Sequence, residues 1–326
     1  MQLSEAKLTG AILAAGRGSR LMPISENYPK PLLPICNKPI VQYQLEYMRD
    51  AGIKEVFLVV GHLKEAFEKT FGSGEQLGLN LNYLEQESQL GIAHAVYKLE
   101  RYLKTPFLLF LGDIFIVPKK LDEMVGMFFS RDAGAVLAVK RENDPEAIKR
   151  NFSVTMDDTG RVQRVIEKPR YVRNNLKGCG IYLFSLPFFD AIRRTPRTAM
   201  RDEYEITDSI QIFIDDGHPV YVAESVEDDI NITFPEDLLV CNYLELKKRG
   251  LANLIGEGSV IPDDCEVIDS VIGSGIQFST ITKKIEKSVI FDNSKPGNLA
   301  TIDRSLITPQ YHLHFENLKF DWANRI

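Results

Sequence analysis

Short runs of apolar residues alternate with amphipathic stretches from the beginning of the chain to Lys140. This alternation predicts strands separated by helices, the order typical of an α/β fold with a mostly parallel sheet flanked by helices. A helix over residues 39–51 fits the order, because Pro39 suits a first helical turn and Gly52 suits the position after the last turn. The predicted strands are residues 8–14, 55–60, 81–85, 107–111 and 135–140.

Residues 154–169 have the pattern of a β-hairpin, with two strand-like runs around the turn sequence Asp-Asp-Thr-Gly at 157–160. The second run leads into Glu167, Lys168 and Pro169. A glutamate next to a lysine at the end of a strand is most simply a solvated ion pair. Binding of an anionic ligand by the same residues is the alternative.

The hydrophobic pattern changes after a helix-like stretch at residues 238–250. A Ser-Val-Ile or Ser-Leu-Ile triplet recurs at nearly even intervals, beginning at Ser270, Ser288 and Ser305. Three hexapeptides make one coil of a left-handed parallel β-helix, so the spacing predicts a short region of this kind with imperfect repeats, and ordinary β-structure is the alternative. We therefore expect one domain over residues 1–250 and a repeat region over 251–326.

A glycine-containing loop follows the first predicted strand. Gly16 and Gly18 let backbone N–H groups approach an anion closely, and Arg17 and Arg20 add positive charge. The loop is not a P-loop, because no Lys-Ser/Thr pair follows its second glycine, and it lacks the third glycine of the dinucleotide fingerprint, where Leu21 stands. The loop therefore predicts an anion site of another kind.

Lys30 lies between Pro29 and Pro31, which stiffen the backbone around it. A lysine held in this way suits an anionic ligand at a small entropic cost. Asp113 follows the fourth predicted strand, and ligands of such sheets bind beyond the carboxyl ends of the strands. The glycine loop and Asp113 are therefore expected in one cleft.

The first strand, the Gly-x-Gly-Ser-Arg-Leu loop at 16–21 and the Pro-Lys-Pro-Leu-Leu-Pro segment at 29–34 together resemble the sugar-1-phosphate nucleotidyltransferases, also called nucleotide-sugar pyrophosphorylases. The segment 90–96 and the repeat tail look most similar to the longer glucose-1-phosphate thymidylyltransferases. The resemblance implies a Rossmann-like catalytic domain whose loop and lysine hold the triphosphate. The residues implied there are Ala14, Gly16, Gly18, Ser19, Arg20 and Lys30.

The same resemblance implies residues for the nucleobase and the sugar phosphate. Gln86 and Gly91 match the base-recognition segment, and a glutamine that reads a pyrimidine edge favours dTTP, then UTP, with CTP and others behind. Ser153 stands where many relatives have a glycine near the sugar, so the identity of the sugar stays open. The residues implied at the sugar phosphate are Glu167, Lys168, Gly180 and Glu205.

Magnesium is the cofactor that the resemblance implies. Asp113 matches the first metal position of the family, and Mg²⁺ typically takes one or two carboxylates together with phosphate oxygens and water. The second position, four residues before a Pro-Glu-Asp-Leu sequence, holds Asn231, whose neutral amide neutralises less charge than a carboxylate. Asp229 would share a face with Asn231 in an extended segment and is the alternative ligand.

Composition and charge narrow the class of protein. The 326 residues are 44% hydrophobic and 26% charged, as in soluble globular proteins, and a net charge of -6 argues against a nucleic-acid partner. Four widely spaced cysteines lack metal-ligand spacing and fit a reducing cytoplasm. The polar N-terminus and the short apolar run after it predict neither a signal peptide nor a membrane span. The repeat tail predicts self-association into a homo-oligomer.

The function expected first is Mg²⁺-dependent transfer of a nucleoside monophosphate from an NTP to a sugar 1-phosphate, with release of pyrophosphate. The sugar phosphate oxygen is already anionic, so the reaction needs positioning and charge neutralisation, which Arg20, Lys30 and Lys168 would supply. One alternative is a hexapeptide-repeat acyltransferase with His312 or His314 as base. The other is a nucleotide-binding regulator with impaired chemistry, suggested by Asn231 and Ser153.

Overall fold

A computed structural model describes residues 7–61, 63–199 and 202–320 of the chain. The outer ends of the two predicted domains, 1–6 and 321–326, lie outside the described residues. The chain forms two compact units, the first made of Met1–Gly16 with Tyr43–Ile230 and the second of Arg17–Gln42 with Asn231–Ile326. The predicted division after residue 250 stays a prediction.

Helices and strands alternate through the first unit, and short strands dominate the end of the second. The helices are α1 (Ile40–Asp50), α2 (Lys64–Phe71), α3 (Ile92–Tyr97), α4 (Leu121–Ser130), α5 (Pro145–Lys149), α6 (Phe188–Arg194), α7 (Ile206–Asp215) and α8 (Pro235–Lys248). The strands are β1 (Thr9–Ala14), β2 (Pro34–Ile35), β3 (Lys38–Pro39), β4 (Glu55–Val60), β5 (Asn80–Glu85), β6 (Phe107–Leu111), β7 (Phe115–Pro118), β8 (Ala135–Arg141), β9 (Phe152–Met156), β10 (Val162–Glu167), β11 (Leu176–Phe184), β12 (Val220–Ala223), β13 (Val226–Ile230), β14 (Leu254–Ile255), β15 (Glu266–Ile268), β16 (Val271–Ile272), β17 (Lys284–Glu286), β18 (Val289–Ile290), β19 (Thr301–Asp303), β20 (Ser305–Ile307) and β21 (His312–His314).

The main sheet of the first unit has the strand order β12-β8-β11-β6-β1-β4-β5. Neighbouring strands are parallel except at β11, which runs antiparallel to both β6 and β8. The mostly parallel α/β sheet is therefore confirmed, and each strand predicted from the alternating pattern is present within one residue of its expected ends. No helix in the described part of the chain is long and apolar enough to cross a membrane.

β11 is a central strand that the hydrophobic pattern did not indicate. It begins with Lys177, Gly178, Cys179 and Gly180 after Leu176, a run with neither alternation nor a continuous apolar stretch. All nine of its residues are nevertheless buried, because the sheet covers both of its edges and its second half packs into an aromatic core. Within that core the rings of Phe184 and Phe188 stack at 3.8 Å between centroids.

The carboxyl ends of β1 and β6 lie side by side in the first unit. The backbone N–H of Gly112, just after β6, donates to the carbonyl oxygen of Leu13 at 2.8 Å. A Cβ atom at position 112 would stand 2.8 Å from that same oxygen, so a glycine is needed for this close approach. The start of the glycine loop and Asp113 therefore leave the sheet at one edge, as predicted.

The hairpin expected at 154–169 is confirmed as the antiparallel pair β9 and β10. The helix expected at 238–250 is confirmed as α8, which begins earlier, at Pro235. Oδ2 of Asp237 accepts the backbone N–H groups of Thr233 at 2.9 Å and Phe234 at 2.8 Å. The Pro-Glu-Asp-Leu sequence thus starts a helix, because the aspartate satisfies amides at the start of the first turn.

The serine triplets of the second unit stack in register. β14, β16, β18 and β20 pair in parallel, with Val271 opposite Val289 and Val289 opposite Leu306. β15, β17 and β19 form a second parallel sheet at the same intervals. The spacing read from the sequence is therefore the spacing between stacked strands.

Hydrogen bonds between the triplet serines join successive repeats. Oγ of Ser270 accepts the N–H of Ser288 at 3.1 Å, and Oγ of Ser288 accepts the N–H of Ser305 at 3.1 Å. Asn253 takes the same place one repeat earlier, since its Oδ1 accepts the N–H of Ser270 at 3.1 Å. We call Asn253, Ser270, Ser288 and Ser305 the serine ladder. The ladder explains why serine precedes each apolar pair.

Candidate active site

The glycine loop is divided between the two units. In the first unit β1 ends at the buried Ala14, and Gly16 is exposed, with no atom within 4 Å of where its Cβ would lie. In the second unit Gly18 has a left-handed φ of 60° and precedes a short 3₁₀ turn, Ser19–Leu21. Ser19 and Arg20 are exposed on that turn. The loop thus offers open backbone and an exposed guanidinium, as an anion site requires.

Lys30 is a buried lysine in the second unit, only 7% exposed. Its Nζ donates a hydrogen bond to Oδ1 of Asn231 at 2.7 Å. Lys30 also lies beside the loop, because a Cβ at Gly18 would stand 3.5 Å from the Cβ of Lys30. The structure therefore brings together the predicted phosphate lysine, one loop glycine and the predicted second metal position.

Asp113 lies in the turn between β6 and β7 and is partly exposed. Across the described ranges, no three His, Cys, Asp or Glu side chains gather in a metal-binding arrangement. Carboxylate and amide oxygens are ligands that suit Mg²⁺, so Asp113 and Asn231 fit the expected ion by the chemistry of their donors. Lys30 already donates to the amide oxygen of Asn231, which has a second lone pair.

Asp229, the alternative metal ligand, is held by two lysines of the main sheet. Its Oδ1 is 2.8 Å from Nζ of Lys140, and its Oδ2 is 2.8 Å from Nζ of Lys177. Burial lowers the pKa of Lys140, but the attraction of Asp229 and nearby carboxylates outweighs burial and leaves that pKa raised. Both oxygens of Asp229 thus face ammonium groups, which favours Asn231 as the metal position.

The segment predicted to bind the nucleobase follows β5. Gln86 is 6% exposed, and its Nε2 lies 3.3 Å from Nδ1 of His94 in α3. Burial and then the nearby Lys98 lower the pKa of His94, so the ring is neutral at pH 7 and accepts this bond. Nε2 of Gln89 donates to the carbonyl oxygen of Ala15. Gln89 is not among the predicted site residues, and the structure shows that it ties this segment to Ala15, directly before the glycine loop.

Gly91 packs against the backbone of Tyr204. A Cβ at position 91 would stand 2.5 Å from the carbonyl oxygen of Tyr204 and 2.7 Å from its nitrogen. The N–H of Tyr204 donates to the carbonyl oxygen of Leu90 at 2.7 Å. This contact explains a glycine at position 91 without a bound base, and the predicted role of Gly91 in base binding stays a prediction. The same contact with Tyr204 also joins the segment predicted to bind the nucleobase to Glu205, the next residue along the chain.

Glu167, Lys168 and Glu205 belong to the first unit. Glu167 ends β10, its Oε1 is 3.7 Å from Nζ of Lys168, and its Oε2 accepts from the hydroxyl of Thr207 at 3.4 Å. Glu205 is 8% exposed and directly precedes α7. Burial, and then Glu167 and other anions, raise the pKa of Tyr182 in the strand beside them. The predicted sugar-phosphate residues thus include two carboxylates near one buried tyrosine.

Gly180 and Ser153 complete the predicted sugar region. Gly180 lies in β11 within its register irregularity against β8, between Gly178 and Tyr182. Oγ of Ser153 is 3.0 Å from the carbonyl oxygen of Leu176 and 3.1 Å from Oδ1 of Asn174. The serine is 6% exposed, so its hydroxyl anchors the start of β11. The departure from glycine at position 153 therefore has a local structural role.

The family described as Nucleotidyl transferase matches residues 9–229 of this sequence, which is most of the chain. The chain belongs to the nucleotidyl transferase family. This membership confirms the resemblance stated from the glycine loop and the Pro-Lys-Pro segment. The matched range includes β1, the turn with Asp113 and β13 as far as Asp229.

Curated relatives of this nucleotidyl transferase cover much of its length. The low-salt glycan biosynthesis nucleotidyltransferase Agl11 of Haloferax volcanii is 36% identical over 253 residues, 74% of this chain and 69% of the relative. A glucose-1-phosphate thymidylyltransferase of Streptomyces griseus is 31% identical over 331 residues, 91% of this chain and 90% of the relative. A UDP-glucose pyrophosphorylase solved with UDP-glucose shares the fold, with a TM-score of 0.65 and 21% identity over 74% of this chain and 100% of that structure.

Proposed function

We propose that this protein transfers a nucleoside monophosphate from an NTP to a sugar 1-phosphate and releases pyrophosphate. The observation that carries the proposal is the shared sheet edge in the first unit, where the bond from Gly112 to Leu13 sets Asp113 beside the start of the glycine loop. Ligands of α/β sheets bind at that edge. The thymidylyltransferase relative of Streptomyces griseus, similar over 91% of this chain, supports the same reaction class.

The chain supplies charge and position rather than a covalent nucleophile. Arg20 and Lys30 would neutralise the triphosphate and the leaving pyrophosphate, and Lys168 would hold the sugar phosphate. The anionic sugar phosphate oxygen attacks the α-phosphorus in line, the bond to the bridging oxygen breaks, and pyrophosphate carries the electron pair away. Glu167 and Glu205 would accept hydrogen bonds from sugar hydroxyls, since both are carboxylates in the first unit.

Asp113 and Asn231 are the residues we propose to hold Mg²⁺. When bound, the ion would offset negative charge on the phosphates of the NTP and on the leaving pyrophosphate. Asn231 brings less negative charge than an aspartate would, so we expect weaker retention of the ion than in a site with two carboxylates. Lys30, hydrogen-bonded to Asn231, would supply part of the missing neutralisation.

The favoured nucleotide is dTTP and then UTP. Gln86 would read the pyrimidine edge, and the base would lie beside Gly91. We propose that the stacked strands of the second unit wind as a left-handed β-helix, because the distance along the chain between paired strands is close to three hexapeptides. Exposed apolar side chains there, at Ile255, Val260 and Ile281, support a homo-oligomer through this region.

The proposed function is tested by pyrophosphate release with Mg²⁺ over a grid of the five common NTPs and a panel of sugar 1-phosphates. We expect one combination to give turnover, and Lys30→Ala to reduce it by a factor of about 100 to 1000, the effect of removing one buried charge-stabilising donor. Lys54→Ala is the matched control, because Lys54 is an exposed lysine before β4. Equal loss in both variants would contradict the role given to Lys30.

The absence of pyrophosphate release from every combination of NTP and sugar 1-phosphate would refute the proposed reaction. Intact NTP binding in that case would favour the nucleotide-binding regulator. The acyltransferase alternative relies on His312 or His314, which both lie in β21. Nε2 of His312 is 3.2 Å from Oγ of Ser305, and Nδ1 of His314 is 2.8 Å from the carbonyl oxygen of Asp303. Binding of acyl-CoA, measured by calorimetry, would be required for that alternative.

A further inference from the structure

Two lysines lie directly opposite each other on neighbouring strands of the main sheet. Lys140 of β8 and Lys177 of β11 are direct partners in the antiparallel register of these strands. Their side chains are 14% and 7% exposed. Like charges directly opposite on paired strands destabilise a sheet, and burial without a counter-charge increases the cost. This pair therefore requires an anion between the two ammonium groups.

Asp229 of β13 supplies that anion with both of its carboxylate oxygens, and its side chain is 5% exposed. We call Lys140, Lys177 and Asp229 the sheet socket. Lys140 has further acidic neighbours, since Oδ1 of Asp228 lies 3.3 Å and Oε2 of Glu142 lies 3.6 Å from its Nζ. Lys177 forms its ion pair with Asp229. The sheet socket thus consists of two positively charged lysines of the main sheet and one carboxylate of β13 that neutralises part of their charge.

The backbone pairing of β13 is short and contains an irregularity. Within the described residues β13 pairs with β7 in a two-stranded ribbon, that pairing shifts between Val226 and Asp228, and the buried Val226 and Ile230 stand at its two ends. Burial of the two apolar ends favours one register, whereas an isolated ribbon of two short strands adds little stability of its own. A buried polar contact can fix a register even when it adds little stability. The socket is the contact of this kind on β13.

We propose that the sheet socket sets the register of β13 and thereby positions Asn231 and, through it, Lys30. Asn231 is the second residue after Asp229, and its Oδ1 receives the hydrogen bond of the Lys30 ammonium at 2.7 Å. Lys140, Lys177 and Asp229 are positioning residues, because they act through the chain to Asn231. The inference rests on the proposed function for the reaction that Lys30 serves.

Acetylation of Lys30 by acetic anhydride, followed by peptide mass spectrometry, reports this positioning without turnover. Exposed Lys54 serves as the internal reference. We expect Asp229→Asn to raise the relative acetylation rate of Lys30 by a factor of about 10 to 100, the size expected when one hydrogen bond to a charged group is lost. The same variant should lower kcat for pyrophosphate release and leave the KM for the sugar 1-phosphate unchanged.

A double variant separates positioning from stability. In Lys177→Met with Asp229→Asn, the repulsion between two buried lysines is gone, and Lys140 keeps Asp228 and Glu142. We expect the unfolding midpoint to recover towards that of the parent protein. The acetylation rate of Lys30 should stay raised, and kcat should stay low. Lys284→Met, which removes an ion pair with Glu286 in the second unit, is the control and should change none of these quantities.

Two results would overturn the proposal. In the first, the double variant regains normal Lys30 acetylation and kcat together with its stability, which is the outcome of a purely structural role. In the second, Asp229→Asn is inactive while Lys177→Met keeps parental kcat and Lys30 acetylation, which would make Asp229 a ligand rather than an anchor. If the parent releases no pyrophosphate but Asp229→Asn speeds Lys30 acetylation as expected, the proposed function fails and the positioning of Lys30 is supported.

Discussion

Replacement of Gly91 by alanine should damage the contact between the predicted base segment and the predicted sugar region. Gly91 has φ 106° and ψ 171°, a combination that essentially only glycine adopts, so any side chain costs about 1 to 3 kcal/mol of backbone strain. The new Cβ would also lie 2.5 Å from the carbonyl oxygen of Tyr204, which adds about 1 to 3 kcal/mol of overpacking. We therefore expect a loss of about 2 to 6 kcal/mol in the free energy of unfolding of the first unit.

A second glycine separates strain from collision. Gly217 has φ 92° and no atom within 4 Å of the position that a Cβ would take, so Gly217→Ala should cost only about 1 to 2 kcal/mol. Urea unfolding of both variants, followed by far-UV circular dichroism and intrinsic fluorescence, gives the comparison. The KM values for NTP and sugar 1-phosphate should both rise in Gly91→Ala, because Tyr204 lies next to Glu205. Equal destabilisation by the two variants would refute the collision between position 91 and Tyr204.

Three further outcomes can be measured on the same material. Asp237→Ala removes the acceptor for two amides at the start of α8 and should lower the free energy of unfolding of the second unit by about 1 to 2 kcal/mol in urea titrations. Ser153→Ala leaves the carbonyl oxygen of Leu176 without that donor and should cost about 1 kcal/mol in the first unit, which calorimetry would detect. Burial, adjusted by Arg249 and Glu245, raises the pKa of Cys36 to about 11, whereas an unfolded thiol titrates near 8.5. The thiol therefore stabilises the fold below about pH 8.5 and loses this contribution as the pH rises towards 11, so Cys36→Ala should flatten the fall in stability between those values.

Five of the seven strands of the main sheet could be read from the sequence because short apolar runs between helices have few other interpretations. β11 could not, since its glycines and its lysine hide a strand whose burial comes from neighbours on both edges. Hydrophobic periodicity indicates only which residues within one segment are buried. It carries no information about which distant strands will cover a segment.

The candidate site could also be predicted only in part, because local motifs are visible in the sequence and long-range clusters are not. The local motifs around Lys30 and Asp113 predict a phosphate site from the sequence because their chemistry lies within a few adjacent residues. The sheet socket joins Lys140, Lys177 and Asp229 from three separate strands, and its meaning depends on the register of β8 with β11. In the sequence each of these residues is an ordinary charge, and Asp229 even suggested a metal ligand. Only the three-dimensional pairing shows that its oxygens face two ammonium groups.

The serine ladder makes the tail of the second unit a modular structure. The two inner rungs, Ser270 and Ser288, each accept the N–H of the next serine and donate to a carbonyl oxygen two residues before themselves, as Oγ of Ser288 does to Glu286 at 2.7 Å. Each of these hydrogen bonds joins equivalent positions of neighbouring repeats, so any repeat with a serine at this position can form it. Duplication or removal of one whole repeat would leave every remaining rung with a matching neighbour, whereas a change by a fraction of a repeat would break the column. The length of the tail can thus vary in whole repeats while the geometry of each rung is preserved.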